Sequence, residues 1–171
     1  NIVRTMASIV GQQSRSIRDW RSSIAEPLRT NPGIDPVDCT VFAPTVVRPD
    51  EVFMVQVFAH LPSQADEANN QAKEFDEDAQ RRGCKSLEAR IARGERLVID
   101  LAMPMLDIDE PVAALVWNGE PAAVQFGVTV PPDLNARAIV GTVTVRQEGV
   151  PIGVIRFKLN VRPPAVQVRE D

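Results

Sequence analysis

The hydrophobic residues of the chain follow two different periods, and the first covers residues 1–29. Apolar side chains recur here at alternating spacings of three and four, and Gln13 is the polar member of the series. The six apolar positions, called the heptad seam below, are Val3, Met6, Val10, Ile17, Trp20 and Ile24. A spacing of about 3.5 residues is typical of a helix that packs along a partner helix, and Pro27 ends it. We predict an amphipathic connecting or oligomerisation helix over residues 1–29; a helix that packs this stripe on its own domain is the alternative.

A β-type pattern begins after residues 30–37, whose Asn, Pro and Gly content is typical of a linker. Short β-branched runs alternate there with turn residues. Seven strands are predicted, at residues 38–42, 52–58, 97–101, 112–117, 123–130, 139–146 and 154–161. The turn sequence at 147–151 predicts a hairpin between the last two strands, and residues 131–135 join the preceding pair.

Strands at this spacing, without crossover helices between them, favour two packed antiparallel sheets. The predicted fold class is therefore mainly β. We expect an immunoglobulin-like antiparallel β-sandwich of about seven strands over residues 38–162, with one inserted helix, the N-terminal helix and a tail or linker at 163–171. The Cys–Trp–Cys core of antibody domains is absent from the sequence, which separates the chain from that class.

The inserted helix is predicted over residues 64–82. Ser63 and Asp66 have the spacing of a helix-start motif, and alanines and Phe75 follow at helical spacing. Gly83 is typical of a residue that ends a helix, and two arginines precede it. The outer face is mostly acidic, which indicates either a solvated surface or contact with a basic partner such as the helix at 1–29.

Composition and charge exclude several classes of protein. The chain has 171 residues with 19 basic and 23 acidic side chains, and its net charge of −4 argues against nucleic acid as a partner. No apolar run reaches the roughly 18 residues of a membrane span, and the first residues do not have the pattern of a signal peptide. Because the chain starts without methionine and closes on an open tail, we expect a segment cut from a longer polypeptide.

Candidate chemistry is sparse. Cys39 and Cys84 are too few for a disulfide framework or a four-ligand zinc site, so we expect two free thiols and a cytoplasmic location. His60 is the single histidine, and neither Ser63 nor Cys84 lies in a nucleophile motif. Residues 107–110 hold three carboxylates without the spacing of a calcium loop. We predict no enzyme activity for this segment, no metal and no cofactor.

Parts of the β region resemble a known group of domains. The matching stretches are residues 40–44, 52–62, 75–78, 140–143 and 149–153. They are similar to the β-sandwich accessory region of bacterial multidomain signalling and defence proteins, which is often joined to a TIR (Toll/interleukin-1 receptor) domain. The resemblance covers about residues 38–162. TIR domains can cleave NAD, but nothing in this chain matches their catalytic motif, so the resemblance implies a neighbouring domain and not an activity.

The leading hypothesis is a non-enzymatic scaffold or regulatory interaction module of such a signalling or antiviral defence protein. Its partner would be the neighbouring effector domain or a second copy, bound through the heptad seam with Trp20 as an anchor. The second hypothesis is a ligand- or peptide-sensing domain, with a small molecule or peptide at a strand edge or under the inserted helix. The third is a hydrolase that uses His60 with Cys84 or Asp107. Enzyme activity of the full-length protein stays open because that protein could carry an effector domain.

Overall fold

The computed structural model describes residues 33–163, which form a β-sandwich with one helix. The strands in chain order are β1 (Ile34–Asp35), β2 (Asp38–Ala43), β3 (Val46–Val47), β4 (Val52–His60), β5 (Gln80–Ser86), β6 (Ile91–Ala92), β7 (Arg96–Ala102), β8 (Asp107–Asp109), β9 (Val112–Val116), β10 (Ala122–Thr129), β11 (Ala138–Gln147) and β12 (Val150–Val161). A 3-10 turn at Pro62–Gln64 leads into the helix α1 (Ala65–Phe75). No helix in this part of the chain is long and apolar enough to cross a membrane.

Two five-stranded sheets form the two layers of the sandwich. Sheet I has the order β5-β2-β4-β10-β8, and sheet II has the order β3-β12-β11-β7-β9. Neighbouring strands are antiparallel except β3 and β12, which run parallel. β1 and β6 form a separate two-stranded sheet. The prediction of a mainly β fold is confirmed, whereas its immunoglobulin-like form stays a prediction.

The main core lies between the sheets, because each strand turns alternate side chains inward. In β12, Ile155, Phe157 and Leu159 are at most 5% exposed, and the polar residues between them face solvent, as the alternation predicts. Trp117 and Phe126 are among the largest fully buried side chains of this core. Burial of this continuous apolar layer is what holds the two sheets together.

A second, smaller core covers the outer face of sheet I. Ala68 and Ala72 of α1 are 0% exposed and pack with Phe42 and Phe58, whose rings meet edge to face at 5.5 Å. β4 is therefore buried on both faces, which explains its nearly continuous buried run from residue 53 to residue 60. Small alanines let the helix approach the sheet closely enough to cover the two rings.

α1 is shorter than the predicted helix over residues 64–82. It has eleven residues and ends at Phe75, after which Asp76 is extended and donates its N–H to the carbonyl of Ala72. The Asp76 carboxylate then accepts the N–H of Asp78, which turns the chain. The predicted last turn of the helix instead forms β5, because its backbone pairs with the open side of β2.

The seven predicted strands correspond to β2, β4, β7, β9, β10, β11 and β12. β11 and β12 form the predicted hairpin, and its turn residues Glu148 and Gly149 have φ angles of 50° and 80°. A two-residue hairpin turn that follows the twist of the strands requires positive φ at both positions. Residues 131–135 do connect β10 to β11, but they cross from sheet I to sheet II and close no hairpin.

The sandwich begins before the predicted boundary at residue 38. β1 pairs with β6, and Val37 is 1% exposed within the core. The last residues of the predicted linker at 30–37 are therefore part of the folded domain. The reason is a buried partner for Asp35, described below, which a linker composition does not indicate.

Candidate functional site

His60, the single histidine, lies at the end of β4 and is 1% exposed. Its Nδ1 is 2.8 Å from the carbonyl oxygen of Leu61, and its Nε2 is 2.7 Å from the hydroxyl of Thr40 on β2. Since a carbonyl only accepts, Nδ1 donates to Leu61, and Nε2 forms the second hydrogen bond with the hydroxyl of Thr40. Both ring nitrogens are thus occupied, and the imidazole ties β4 to β2.

None of the other candidates for hydrolytic chemistry forms a hydrogen bond with His60, although Cys84 lies opposite Thr40 in the sheet. Ser63 is exposed in the 3-10 turn and Cys84 is exposed in the edge strand β5. Asp107 begins β8 and pairs with Thr129, at the end of β10 that lies beside the start of β4, whereas His60 ends β4. The register therefore separates Asp107 from His60 by the length of a strand. The hydrogen bonds of the imidazole go to Thr40 and Leu61, and not to any of the nucleophiles considered from the sequence.

Both cysteines are free thiols, in two different environments. Cys39 is 0% exposed within the core, and burial raises the pKa of its thiol to about 12. It therefore stays protonated at neutral pH and packs as a small apolar side chain. Cys84 lies on the neighbouring strand β5 and is exposed to solvent.

Metal ligands do not converge in the described part of the chain. Within residues 33–163, no group of three His, Cys, Asp or Glu side chains could hold a metal ion. Asp107 and Asp109 alternate along β8 with Ile108, which packs against the core. The heptad seam predicted as the interaction site and its helix lie outside the described residues, as does most of the predicted tail at 163–171.

A cluster of polar side chains, which the sequence did not indicate, holds β1 against the rest of the domain. Asp35 of β1 is 14% exposed, and its Oδ2 accepts hydrogen bonds from Nε of Arg93 at 3.0 Å and from Nε1 of Trp117 at 2.9 Å. The hydrogen bond from Arg93, assisted by that from Trp117 and by the charge of Arg93, holds the pKa of Asp35 below its ordinary value. The buried indole needs a partner for its N–H, and this need is the signal that could have located Asp35.

Asp35 makes the stability of the domain depend on acid pH. A carboxylate whose pKa is lower in the folded state stabilises the fold above its unfolded pKa of about 4, and this contribution is lost as pH falls through the lower, folded pKa. When the pH falls from about 5 to about 2, the free energy of unfolding should decrease less in the Asp35→Asn variant than in the parent chain. Urea denaturation at a series of pH values measures this difference. Asp133→Asn, at an exposed loop carboxylate, is the matched control, and an acid response of Asp35→Asn equal to that of the parent would contradict the assignment.

Apolar side chains lie exposed on the outer face of sheet II. β9 turns every second residue outward, namely Val112, Ala114 and Val116, and Val98 of β7 lies beside Ala114. These four residues are called the β9 patch below. Val112 is 56% exposed and Val116 is 47% exposed. Contiguous apolar surface of this kind is typical of a contact site on a folded protein.

Comparisons with known proteins give no family for the chain. No family model and no curated protein matches it. Among solved structures, the periplasmic chaperone SfaE matches 76% of this chain with a TM-score of 0.41 and 10% identity, and the chain covers 59% of that protein. The CARDB domain of the PF1109 protein from Pyrococcus furiosus, solved in complex with di-metal ions, matches 75% of this chain with a TM-score of 0.41 and 14% identity, over 94% of that domain. The class defined by the chain itself is a β-sandwich domain with an apolar, solvent-exposed edge.

Proposed function

We propose that the chain is a non-enzymatic scaffold or regulatory interaction module of a larger bacterial signalling or defence protein, acting in the cytoplasm. It mediates contact with a neighbouring effector domain or with a second copy of itself. The resemblance of residues 38–162 to TIR-associated accessory regions supports this assignment. The proposal also includes an immunoglobulin-like form of the sandwich and a helix over residues 1–29.

The observation that carries the proposal is the contrast between the two kinds of site in the domain. The β9 patch is apolar and open to solvent, with Val112 at 56% exposure. His60, in contrast, is 1% exposed with both ring nitrogens in hydrogen bonds. A surface that offers apolar area and little reactive chemistry suits binding to another protein surface.

The path of the chain through the sandwich also supports a scaffold. The described chain enters at β1, and β2 then runs away from the end of the domain where Asp38 pairs with His60. β12 ends beside β3, and Arg48 donates a hydrogen bond to the carbonyl of Pro163 at 3.2 Å. The chain therefore enters and exits the domain at opposite ends. This arrangement suits a rigid spacer between the segments on either side of it.

An open groove at the exit end favours the second candidate function, a ligand- or peptide-sensing domain. It encloses about 840 Å³ and is lined by the exposed Phe75 at the end of α1 and by Met54 on β4, with Glu51 and Asp76 at its margin. The lining is more polar than apolar, and an exposed aromatic ring beside charged groups suits a polar ligand or a peptide. The acidic margin would select a ligand that carries positive charge.

The heptad seam provides the test of the leading proposal. We expect the full chain to form an assembly larger than a monomer, and Ile17→Ala/Trp20→Ala to raise its dissociation constant by at least about 100-fold, because burying each large apolar side chain contributes roughly 1.5–3 kcal/mol. Light scattering across a concentration series measures the mass of the assembly.

Arg18→Ala/Ser22→Ala is the matched control, since both residues lie on the same predicted helix and outside the seam. We expect this control to associate as the parent does. A seam variant that associates with the affinity of the parent would reject the seam as the interaction site, while a control that dissociates would show that the whole segment and not the stripe is responsible.

A further inference from the structure

The two five-stranded sheets have four edge strands, and three of them are protected against pairing with another strand. β5 carries three basic side chains and an irregularity in its ladder with β2. β8 has three residues, two of them aspartates, and β3 has two residues. Charge, irregular pairing and shortness are the usual ways in which proteins block an open edge. β9 is the fourth edge, and its five residues Val112–Val116 contain no charge, proline or bulge.

The backbone of β9 is in the right phase to accept a further strand. Leu101 donates its N–H to the carbonyl of Pro111, and Trp117 donates its N–H to the carbonyl of Glu95. The backbone hydrogen-bonding groups of the odd-numbered residues from 111 to 117 therefore point towards β7. In an antiparallel ladder the residues between them turn their N–H and C=O groups the other way. Residues 112, 114 and 116 therefore offer three donors and three acceptors at the end of sheet II, where the described residues place no further strand.

We propose that this edge pairs with β9 of a second copy of the chain, antiparallel and centred on Ala114, so that two copies of sheet II form one continuous sheet. The proposal supplies the partner of the interaction module and so rests on the proposed function, but it uses a surface distinct from the heptad seam. Six backbone hydrogen bonds join the two edges, because each of the three residues donates one and accepts one.

The side chains of the edge are self-complementary in this register. A two-fold axis through Ala114 places Val112 of each copy opposite Val116 of the other. The small alanines then meet on the axis, and the exposed valines on either side cover each other. Pairs of β-branched side chains on adjacent strands stabilise such a ladder.

Charge gives the antiparallel register only a small preference over the parallel one, because the charged residues of the two copies lie three strand spacings, about 14 Å, apart. Asp100 lies beside Val112, and Arg96 lies beside Val116, on the neighbouring strand β7. In the antiparallel pair, a line of neighbouring side chains across the four strands would run Asp100, Val112, then Val116 and Arg96 of the other copy. Each such line therefore has a negative charge at one end and a positive charge at the other. A parallel pair would place like charges in the same line, which is unfavourable. Asp100 is also paired with Arg146 within its own copy, which reduces this preference further.

A single pair of short strands is a small interface compared with the roughly 1,200–2,000 Å² of stable complexes. We therefore expect a dimer that dissociates on dilution. In the full chain, association through the heptad seam would raise the effective concentration of one edge near the other and strengthen both contacts.

The test uses the full chain carrying Ile17→Ala/Trp20→Ala, so that the seam does not contribute, and sedimentation equilibrium over a concentration series. We expect this background to dimerise. Adding Val112→Lys/Val116→Lys places lysines opposite lysines and should raise the dissociation constant by about 100-fold or more. Adding Val112→Glu/Val116→Lys instead places glutamate opposite lysine in the antiparallel register and should preserve the dimer, with an affinity that falls as salt is added.

Val140→Lys is the matched control, because Val140 is 50% exposed on the same sheet but lies on β11, away from the edge. It should leave the dimer unchanged, and circular dichroism should show all variants folded. Equal dimerisation of the lysine pair and its background would overturn the proposal, as would a glutamate–lysine pair that dissociates as fully as the lysine pair, since the antiparallel register places its opposite charges together.

The two proposals fail in different ways. A seam background that is monomeric at every concentration, beside a parent chain that associates, overturns the β9 pairing and leaves the seam intact. A parent that is itself monomeric overturns self-association at both surfaces, and leaves contact with a neighbouring domain as the form of the proposed function. A dimer of the seam background that depends on β9 supports the pairing even where the seam variant shows no effect.

Discussion

Trp117→Ala is expected to lower the free energy of unfolding by about 3–5 kcal/mol, the range typical of a large aromatic side chain removed from a core. Trp117 is 0% exposed and lies where the chain leaves β9 for β10. The substitution removes the indole from the core and also one of the two hydrogen bonds to Asp35. The variant thus loses a hydrogen bond that holds β1 in place and, at the same time, a large apolar side chain from the core.

Chemical denaturation followed by far-ultraviolet circular dichroism measures this effect, and two variants separate its causes. Trp117→Phe keeps most of the apolar volume and loses the N–H, so it should cost about 1.5–3 kcal/mol, the value of a hydrogen bond to a charged group. Val116→Ala, at the exposed neighbouring residue, should change stability by less than about 0.5 kcal/mol. A Trp117→Ala chain within 1 kcal/mol of the parent would show that this residue does not organise the core.

The strands that the sequence predicted are those in which side-chain pattern and burial coincide. In β12, apolar Ile155, Phe157 and Leu159 face the core and polar residues separate them, so period-2 alternation is visible directly. β4 shows a nearly continuous apolar run instead, because α1 covers its second face. Its length and its β-branched residues still favour a strand over a helix.

β5 shows why other strands could not be predicted. Its residues Gln80–Ser86 are polar, and most of them are exposed. They form a strand because β2 offers an open edge, which is a property of the neighbouring strand and not of the segment itself. Two arginines after an alanine-rich stretch have the same pattern as the last turn of a helix, and this ambiguity extended the predicted helix into β5.

Contacts between distant residues limited the prediction of the site. Asp35 bonds Arg93 and Trp117 across sequence separations of 58 and 82 residues, and no spacing rule relates them. His60 was considered from the sequence as a possible base at the end of a strand, but its partner Thr40 is twenty residues away on another strand, and only the sheet register brings the two together. The strand at residues 112–117 was predicted, but the exposure of its outward side chains depends on β9 being the last strand of sheet II.

The proposed association through β9 therefore depends on which strands lie at the edges of the sheets. The sequence of β9 would suit a buried central strand, but its place at the end of sheet II leaves every second residue exposed to solvent. Local sequence and topology conflict at this one edge, and such conflicts tend to mark functional sites in natural proteins.

Gly141→Ala is expected to destabilise the fold by about 1–3 kcal/mol, although it adds only one methyl group. Gly141 of β11 pairs with Phe157 of β12, and both face the core. A Cβ at Gly141 would lie 2.5 Å from Cζ and 2.7 Å from Cε1 of the Phe157 ring. The ring occupies the place where a side chain would otherwise stand, so the added methyl must displace it within a closely packed core.

Gly127→Ala is the matched control, because the nearest atom to an added Cβ there is Cβ of Asp109 at 3.9 Å, an ordinary contact. We expect this control to leave stability unchanged or to raise it slightly, since alanine restricts the unfolded chain more than glycine does. In a double-mutant cycle, Phe157→Leu should cost less in the Gly141→Ala chain than in the parent, because the smaller side chain relieves the collision. Equal costs in the two backgrounds would mean that the ring is free to move away, and that the close approach of β11 and β12 does not depend on glycine at this position.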